Sequence, residues 1–500
     1  MRGWCSILQD SRAAHLFVAV LVVLSGTLHA QFGQQAAPST STGQGASTPS
    51  SSSGSAAGQF PMSLSASQDP YTGSVITEKP TDQVITLSLK DAIARGLKAN
   101  LGALLTEQGI TSARAQRWRA LQGLLPDVTG RVGESVQQIN LAAQGIRFPG
   151  VPAIIGPFSN FDARAYLTAN AGLSQYESIR SSIDSLKAAN FSYQNALELV
   201  VYSVSNAYLQ VLTSAATVVN AQAQVDTAQA LLNQAEQMHQ AGVTAKIDAL
   251  RATVELQARK QDLIVSKNNL DKSTIALARA IGLPLEQKYQ LGDTLQFTPA
   301  PSLTQEEALH RAYHSRLDYR QAQAQLRAAE SSERAAHFER FPSLSFSGNY
   351  GDIGISPGSS HGTFLAAGGI QIPIFEEGRI RGDIYQAQAV LNQNKDQLSD
   401  LEGRIDAEIR TAFLDVNAAA EQVQLADATV KLSQEQLSEA RERFAAGVTD
   451  NLEVVQAQGA VVNAQNQYVS SLYIHNLAKL GLARALGEAR QNAASYLGGK

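Results

Sequence analysis

The sequence predicts a mainly α-helical fold with a small β part, and three observations lead to this prediction. Aromatic residues make up only 6% of the 500 residues, while Ala, Gln, Leu and Val dominate the middle and the end of the chain. That composition is typical of long helices packed through small side chains. The second observation is a unit that occurs twice along the chain. The third is a pair of segments in each copy that alternate apolar and polar residues as strands do.

The beginning of the chain has the pattern of a secretory signal peptide. Arg2 and Arg12 precede the apolar run Leu16–Leu24, and Ala30 is the candidate cleavage residue. The only cysteine, Cys5, lies upstream of this run, so it is not placed for lipidation and the mature chain is expected to have no disulfide. No later stretch reaches the roughly 18 apolar residues of a spanning helix. We therefore expect an exported protein without a helical membrane span.

The composition along the chain suggests five parts. After the signal peptide comes a stretch rich in Ser, Gly and Gln that has almost nothing apolar to bury, as in a flexible leader. The remaining chain divides into two similar halves. We expect a signal peptide (1–30), a flexible leader (31–80), a first structural repeat (81–290), a second structural repeat (291–489) and a C-terminal tail (490–500).

The two repeats begin with matching segments. Leu87–Ile93 resembles Leu303–Leu309, which lies 216 positions later, and the same shift carries Pro126 onto Pro342. The first helices of the two copies therefore have equal length. Repetition of this kind indicates one supersecondary unit used twice.

The tetrapeptide Ala-Gly-Val-Thr also occurs twice, with Gly242 in the first copy and Gly447 in the second, 205 positions apart. The second copy is therefore 11 residues shorter between its Pro and its tetrapeptide, and a length difference confined to one place usually marks a loop. Each tetrapeptide interrupts a long helical stretch. Because glycine accepts the conformation that ends a helix, we predict that the chain reverses at both glycines. Thr244 and Thr449 would then start the returning helices.

The strand-like segments lie in the region where the two copies differ in length. Two of them alternate cleanly and two more weakly, and each pair is separated by a Gly- and Pro-rich loop. They are Asp127–Val136, Phe161–Leu173, Ser343–Tyr350 and Thr363–Ile372. Each copy is thus predicted to run helix, strand, loop, strand, helix, break, helix.

The lengths of these elements point towards a membrane. The stretch 183–240 has nearly 60 residues, which at ~1.5 Å per residue gives a rod of roughly 85 Å. The strands are about nine to eleven residues long and half apolar, as membrane barrel strands are. Four strands are too few to close a barrel, which needs about eight, and an open sheet edge is not tolerated in lipid. If these strands lie in a membrane, several chains must share one barrel.

These features together resemble the TolC-like outer-membrane efflux protein family. The resemblance is carried by the duplicated unit and by Ile372–Arg379, which is similar to the family's strand-to-helix element. It is also carried by the two Gly-Val-Thr breaks followed by an acidic residue, and by the endings Ala280–Leu283 and Ala485–Gly487. It covers roughly 84–488. One departure is Leu173–Tyr176, where the first copy lacks the Pro and Phe of the second.

The resemblance implies a homotrimer in the bacterial outer membrane. Four strands from each of three chains would form one twelve-stranded barrel in outer-membrane lipid, with a long α-helical barrel of coiled-coil hairpins below it in the periplasm. Such a protein is an exit duct of a tripartite efflux or type I secretion system. Its partners are a periplasmic adaptor (membrane fusion) protein and an inner-membrane pump, and it needs no cofactor.

The resemblance also suggests residues of a channel gate. In the family the helix breaks form the tip of the tube, and acidic side chains just after them narrow its entrance. Asp248 and Glu453 occupy these positions, 205 residues apart, and carboxylates converging on one axis would repel each other and attract cations. The alternative is that both only stabilise the first turn of a helix through its dipole. A second acidic ring is not expected, because the next positions are Arg251 and Gln456.

Residues around the two breaks are candidates for contact with the adaptor. Phe444, whose counterpart in the first copy is His239, could hold the closed state or contact the adaptor, and helix-tip packing is the alternative. The same set is completed by Gly242, Val243, Thr244, Gly447, Val448, Thr449 and Asn451, of which the last two are also ordinary helix-start residues.

Other functions have weaker support. The net charge of −4 gives no basic surface for nucleic acid, and no nucleophile, metalloprotease or phosphate-loop motif suggests an enzyme. His310 and His314 are four residues apart and could form a metal pair, although a solvated helix face is the simpler interpretation. A soluble periplasmic coiled-coil scaffold and a metal-binding protein without a pore remain the alternatives to an efflux duct.

Overall fold

The computed structural model describes residues 70–143, 145, 149–243, 245–300, 303–449 and 451–497. The predicted signal peptide and most of the predicted leader lie outside these residues. The part of the leader that is described, 70–80, contains a short 3-10 helix at Pro70–Thr72, and Ser74 bridges to Asn100. These residues are therefore tied to the helical part of the chain.

Helices make up most of the described chain, and two of them are very long. The third and seventh helices have 68 and 69 residues, about 100 Å each at ~1.5 Å per residue. The helices are α1 (Leu89–Ala99), α2 (Leu101–Gln122), α3 (Leu173–Gln240), α4 (Lys246–Ile281), α5 (Gln305–Ser315), α6 (Leu317–Phe338), α7 (Glu377–Ala445), α8 (Asn451–Ala485) and α9 (Ala489–Tyr496). Helix α9 lies where a C-terminal tail is predicted.

Four long strands form one antiparallel sheet, and two short strands form a separate parallel pair. The strands are β1 (Ile85–Leu87), β2 (Asp127–Asn140), β3 (Ile154–Ala171), β4 (Tyr289–Leu291), β5 (Ser343–Gly354) and β6 (His361–Gln371). Strand β1 pairs with β4, and the large sheet has the order β2-β3-β5-β6. All four predicted strands are present, and each is longer than the alternation alone indicates, although β6 exceeds its prediction by a single residue.

The boundary between β3 and α3 differs from the prediction. Leu173 is the first residue of α3 rather than the last of the strand, and 173–176 is helical. The apolar alternation continues to Leu173, but the strand ends at Ala171, and the exposed side chains of Leu173 and Tyr176 follow helical spacing. The first copy therefore passes from strand to helix without the Pro and Phe that the second copy has at this junction.

The two copies of the repeat share details of their helix ends. Ser88 and Thr304, again 216 positions apart, each form a capping box with a carboxylate three residues later. In each copy the first helix is interrupted once, at Asn100 and at Arg316, which are also 216 apart. The single first helix expected from the sequence is thus a pair of helices in both copies, α1–α2 and α5–α6.

The large sheet has one apolar and one polar face. Its register places Val128 beside Leu167, and Tyr350 beside Phe364, on the same face. That face is mainly apolar and carries Val128, Val132, Val136, Phe161, Ala163, Ala165, Leu167, Leu344, Phe346, Tyr350, Phe364 and Ile370, together with the acidic Glu134 and Asp352. The opposite face carries Arg164, which forms an ion pair with Asp162 at 2.6 Å.

The helices that adjoin the sheet follow the order of its strands. Helix α2 precedes β2, α3 follows β3, α6 precedes β5 and α7 follows β6. In the same sequence α2 packs on α3, α3 on α6, and α6 on α7. The long helices then pair with the returning helices, α3 with α4 and α7 with α8. Between α3 and α4 the contacts are made by small and branched side chains such as Ala228, Ala235 and Leu256.

The segment that connects the two repeats is held by a buried lysine. Lys479 of α8 has no exposed surface, and its Nζ donates to the carbonyl oxygen of Thr298 at 3.0 Å and to the hydroxyl of the same residue. His475 Nε2 lies 3.0 Å from the same carbonyl, and its ring stacks on Phe297. Burial lowers the pKa of Lys479 from 10.5 to about 8, because the charged form loses its hydration.

This lysine makes stability depend on alkaline pH. Because the pKa of Lys479 is lowered by folding, the unfolded chain binds more protons than the folded chain between about pH 8 and 10.5. Stability contributed by this group therefore increases as pH rises through that window, by up to about 3 kcal/mol. We expect Lys479→Met to remove this increase, as measured by thermal unfolding at pH 7 and pH 10.

Lys272, an exposed lysine of α4, supplies the control. Lys272→Met should retain the pH dependence of the unmodified chain. An equal rise in unfolding temperature for the unmodified chain and Lys479→Met would contradict the prediction.

Candidate functional site at the helix breaks

The two repeated tetrapeptides end the long helices with the same backbone structure. Gly242 has φ of 72°, its N–H donates to the carbonyl of His239, and the N–H of Val243 donates to the carbonyl of Met238. Gly447 has φ of 70°. Its N–H donates to the carbonyl of Phe444, and the N–H of Val448 donates to the carbonyl of Arg443. This is the Schellman motif, which requires a left-handed residue just after the helix. The prediction that the chain reverses at both glycines is confirmed.

The first returning helix begins differently from the prediction. The N-cap of α4 is Ala245, which makes no side-chain cap, so Thr244 does not start this helix. Thr244 itself lies outside the described residues. Helix α8 begins at Asn451, and the hydroxyl of Thr449 donates to Glu453 Oε2 at 2.5 Å. Thr449 therefore contacts Glu453, the candidate gate residue of the second repeat.

The two breaks lie at the same end of the chain's long hairpins, and we call this region the tip (238–243, 245–256, 440–449 and 451–458). The side-chain amide of Asn451 donates to the main-chain oxygen of Asp248 at 3.1 Å, which joins the first turn of α8 to the first turn of α4. Asn451 is fully buried, and its Oδ1 has no hydrogen-bond partner in the described residues. One hydrogen bond thus links the two hairpins directly at the tip.

Asp248 lies in the first turn of α4, as predicted, but it is largely covered by its own chain. The residue is only 7% exposed, and its Oδ1 lies 3.5 Å from Nη1 of Arg251. The N–H groups of the first turn also favour a carboxylate at this position. Asp248 is thus an anionic side chain compensated by a cation three residues away.

Glu453 is the equivalent residue of the second copy and is more accessible. Its side chain is 37% exposed and pairs with Nη1 of Arg443 at 2.8 Å, in addition to Thr449. Sequence reasoning missed Arg443, because it lies ten residues earlier on the other arm of the hairpin, outside any helical spacing. Both candidate gate carboxylates, Asp248 and Glu453, are therefore paired with an arginine of their own chain.

The remaining tip residues divide into buried and exposed sets. Phe444 is 1% exposed and packs with Leu231, Val454 and Ala457 in a core that joins both hairpins. Val243 and Val448, in contrast, are exposed just after the left-handed glycines. Of the predicted contact residues, the valines face solvent in the single chain, while Phe444 and Asn451 support the tip from inside.

The two histidines considered above as a metal pair stack on each other but lack the further ligands that a metal site needs. The rings of His310 and His314 stack with centroids 4.5 Å apart, and Nδ1 of His314 lies 3.0 Å from the carbonyl of His310. Within the described ranges no group of three or more His, Cys, Asp or Glu side chains is arranged to hold a metal ion. The same ranges contain no helix long and apolar enough to cross a membrane.

The left-handed glycines provide a test of the tip's backbone. At both positions an added Cβ would meet no atom within 4 Å, so only the backbone conformation opposes a side chain. We expect Gly242→Ala and Gly447→Ala each to destabilise the folded chain by about 1 kcal/mol. Gly459, inside α8 and equally uncrowded, is the matched control: Gly459→Ala should stabilise by up to about 1 kcal/mol. Thermal unfolding of the three variants measures the difference, and equal shifts for all three would contradict it.

Comparison with known proteins identifies the family in which this architecture occurs. The sequence profile of the family described as outer membrane efflux protein matches twice, at residues 104–283 and 308–488. The chain is 26% identical over 420 residues to the pyoverdine export outer membrane protein OpmQ of Pseudomonas aeruginosa, covering 77% of this chain and 83% of that protein. It is 24% identical over 365 residues to the probable efflux pump outer membrane protein TtgC of Pseudomonas putida, covering 67% and 72%.

Solved structures have the same fold. The Campylobacter jejuni CmeC outer membrane channel superposes with a TM-score of 0.71 at 19% identity, over 84% of this chain and 92% of that one. The open state of the Neisseria gonorrhoeae MtrE outer membrane channel gives 0.69 at 18% identity, over 83% and 94%. The resemblance inferred from the sequence is thereby confirmed. Because the family profile matches both repeats and most of the chain, the protein belongs to the outer membrane efflux protein family.

Proposed function

We propose that three copies of this chain form one outer-membrane duct, in which twelve strands close a barrel and the long helices continue into the periplasm. The observation that carries this proposal is the four-stranded sheet, whose outer strands β2 and β6 each have one edge without a strand partner among the described residues. A bilayer does not tolerate open edges, so a sheet of this kind must close with further copies. Four strands are about half of the smallest barrel, and three copies supply twelve.

The two faces of the sheet fit this assignment. The apolar face defined above would lie against lipid, and the polar face with Asp162 and Arg164 would line a wet lumen. The strands have 11 to 18 residues, and a tilted strand needs about 9 to 11 to cross the hydrocarbon. The duct would therefore span the membrane and project beyond it.

The duct would act as the passive last component of a tripartite efflux or type I secretion system. Two relatives carry export or efflux pump in their names, which supports a pump in the inner membrane and a periplasmic adaptor as partners. In our proposal the adaptor contacts the tip around Gly242 to Thr244 and Gly447 to Thr449. The exposed Val243 and Val448 would supply apolar contact, while Phe444 and Asn451 position them from beneath.

Gating would take place at the same tip. Three chains bring three copies each of Asp248 and Glu453 towards one axis, where like charges repel and cations are attracted. The paired Arg251 and Arg443 offset this repulsion while the tip is closed. When an adaptor and pump dock, the hairpins would separate, and the hydrogen bond from Asn451 to the main chain of Asp248 would break. Opening would thus remove one buried contact per chain and widen the entrance.

The assembly is tested by counting chains. We expect the protein from outer-membrane fractions, solubilised in mild detergent, to contain three chains per particle by native mass spectrometry. It should also form ion-conducting pores in planar bilayers. Recovery as a monomer in the soluble periplasmic fraction would contradict the proposed duct and favour a coiled-coil scaffold.

The gate is tested by neutralising its carboxylates without changing side-chain shape. Asp248→Asn together with Glu453→Gln should raise single-channel conductance or weaken block by multivalent cations, because the charge that attracts them at the entrance is removed. Asp271→Asn, an exposed position further along α4, is the control and should leave conductance and block unchanged. Unaltered conductance and block in the double variant would remove both carboxylates from the entrance.

A further inference from the structure

Among the residues that the structure describes, the most exposed large apolar side chains lie in the short connection between the sheet and α7. Ile374 is 93% exposed and Phe375 is 94% exposed. They follow the end of β6 and lie three and two positions before the first residue of α7. Two neighbouring apolar side chains of this size that are exposed in the single chain often mark a surface that contacts another molecule.

A second exposed apolar pair lies at the opposite edge of the same chain. Trp118, near the end of α2, is 64% exposed, and Leu125, just before β2, is 49% exposed. Helix α2 is covered on one side by α3, and α7 on one side by α6, so each is the outer member of the helix layer. The two apolar pairs therefore mark the two outer edges of one protomer.

The register of the sheet places both apolar pairs near the same end of the sheet. Asp127 at the start of β2 pairs with Thr168, near the end of β3, and Ala171 pairs with Leu344. Ser343 in turn pairs with Gln371, the last residue of β6. The start of β2 and the end of β6 thus lie at the helix-bearing end of the sheet. The strands β2 and β6 run in opposite directions.

A second copy of the chain is the occupant that fits both pairs. If β6 of one copy pairs with β2 of the next, the antiparallel directions continue around the ring, and the two strands lie about 4.8 Å apart. The end of β6 then adjoins the start of the next copy's β2, because both lie at the helix-bearing end. Within one chain the same two edges are separated by two further strands.

The charges around the loop favour protein over lipid as the contact. Arg379 pairs with Glu339 at 2.6 Å and with Glu376 at 2.7 Å, and Arg381 pairs with Glu377 at 2.5 Å. These arginines are compensated by carboxylates of their own chain, so they are poorly placed to bind lipid phosphates.

We propose that Ile374 and Phe375 of each copy pack against Trp118 and Leu125 of the next copy, and we call this contact the apolar clasp. The inference rests on the proposed trimer and assigns a particular contact within it. Three clasps would hold the junction between the sheet and the helices. The upper end of the duct would then stay closed as a ring while the hairpins move at the tip.

Cross-linking tests the clasp directly. The chain's only cysteine is Cys5, within the predicted signal peptide, so introduced cysteines are the only thiols expected in the mature protein. The double variant Leu125→Cys with Phe375→Cys, treated with a short bis-maleimide, should give covalent dimers and trimers. Each single variant should give neither. The pair Leu125→Cys with Ile374→Cys is a second version in case Phe375 is needed for folding.

Trp118 supplies a second readout, because it is the only tryptophan beyond the predicted signal peptide. In the trimer its emission should be blue-shifted and resistant to aqueous acrylamide, and Phe375→Ala should shift it to the red and increase quenching. Phe364→Ala makes the same change on the apolar face of β6, near the strand's other end, and should leave the emission unchanged.

The outcomes separate the clasp from the trimer on which it rests. Cross-linked trimers and a red shift confined to Phe375→Ala would support the clasp. Three chains per particle without cross-links in either double variant, with Trp118 quenched by brominated phospholipid, would overturn the clasp and leave the trimer. A single chain per particle would overturn the proposed assembly and the clasp together.

Discussion

The outer edges of β2 and β6, which have no strand partner among the described residues, set the constraint on which the rest of this structure depends. A sheet that enters lipid cannot leave the backbone groups of such edges open, and water satisfies them only outside the bilayer. One chain offers four strands with one mainly apolar face, so in the proposed duct the unit that satisfies the constraint is larger than one chain. Each of the four long strands is joined to one helix. The helices α2, α3, α6 and α7 therefore lie side by side in the same order as the strands β2, β3, β5 and β6. The helical layer therefore has the same two open flanks as the sheet.

The long helices transmit this arrangement over about 100 Å, and their composition explains how. Contacts between α3 and α4 use alanines such as Ala228, Ala235 and Ala252, which allow close approach of the backbones. Larger side chains are concentrated where several elements meet. One such place is around Tyr208, whose hydroxyl donates to Asp293 at 2.7 Å, and another is around Phe444 at the tip. Tyr208 lies near the middle of α3, so one larger core at mid-length and another at the tip are joined by contacts between small side chains, which would suit the tip movement proposed above.

The sequence predicted local features well and contacts between distant segments poorly. The repeat, the four strands and the reversal at Gly242 and Gly447 were predictable, because periodicity and left-handed glycines act over a few residues. The pairing of Arg443 with Glu453 and of Asn451 with the main chain of Asp248 was not, since both depend on how two helices come together after a break. The burial of Lys479 against Thr298 was missed for the same reason: 181 residues separate them. The end of β3 was misplaced because Leu173 continues the apolar alternation by one step although the backbone has already become helical.

The Schellman motifs at the two breaks have a consequence for how such a protein can change over generations. The turns are made by main-chain hydrogen bonds and by a glycine, so the side chains that follow, Val243 and Val448, contribute little to forming them. Substitutions at these two positions are therefore expected to have little effect on folding. If an adaptor meets the tip as proposed above, its contact surface can then diverge one residue at a time while the hairpins keep their geometry. On that proposal, a lineage can exchange its partner without redesigning the duct.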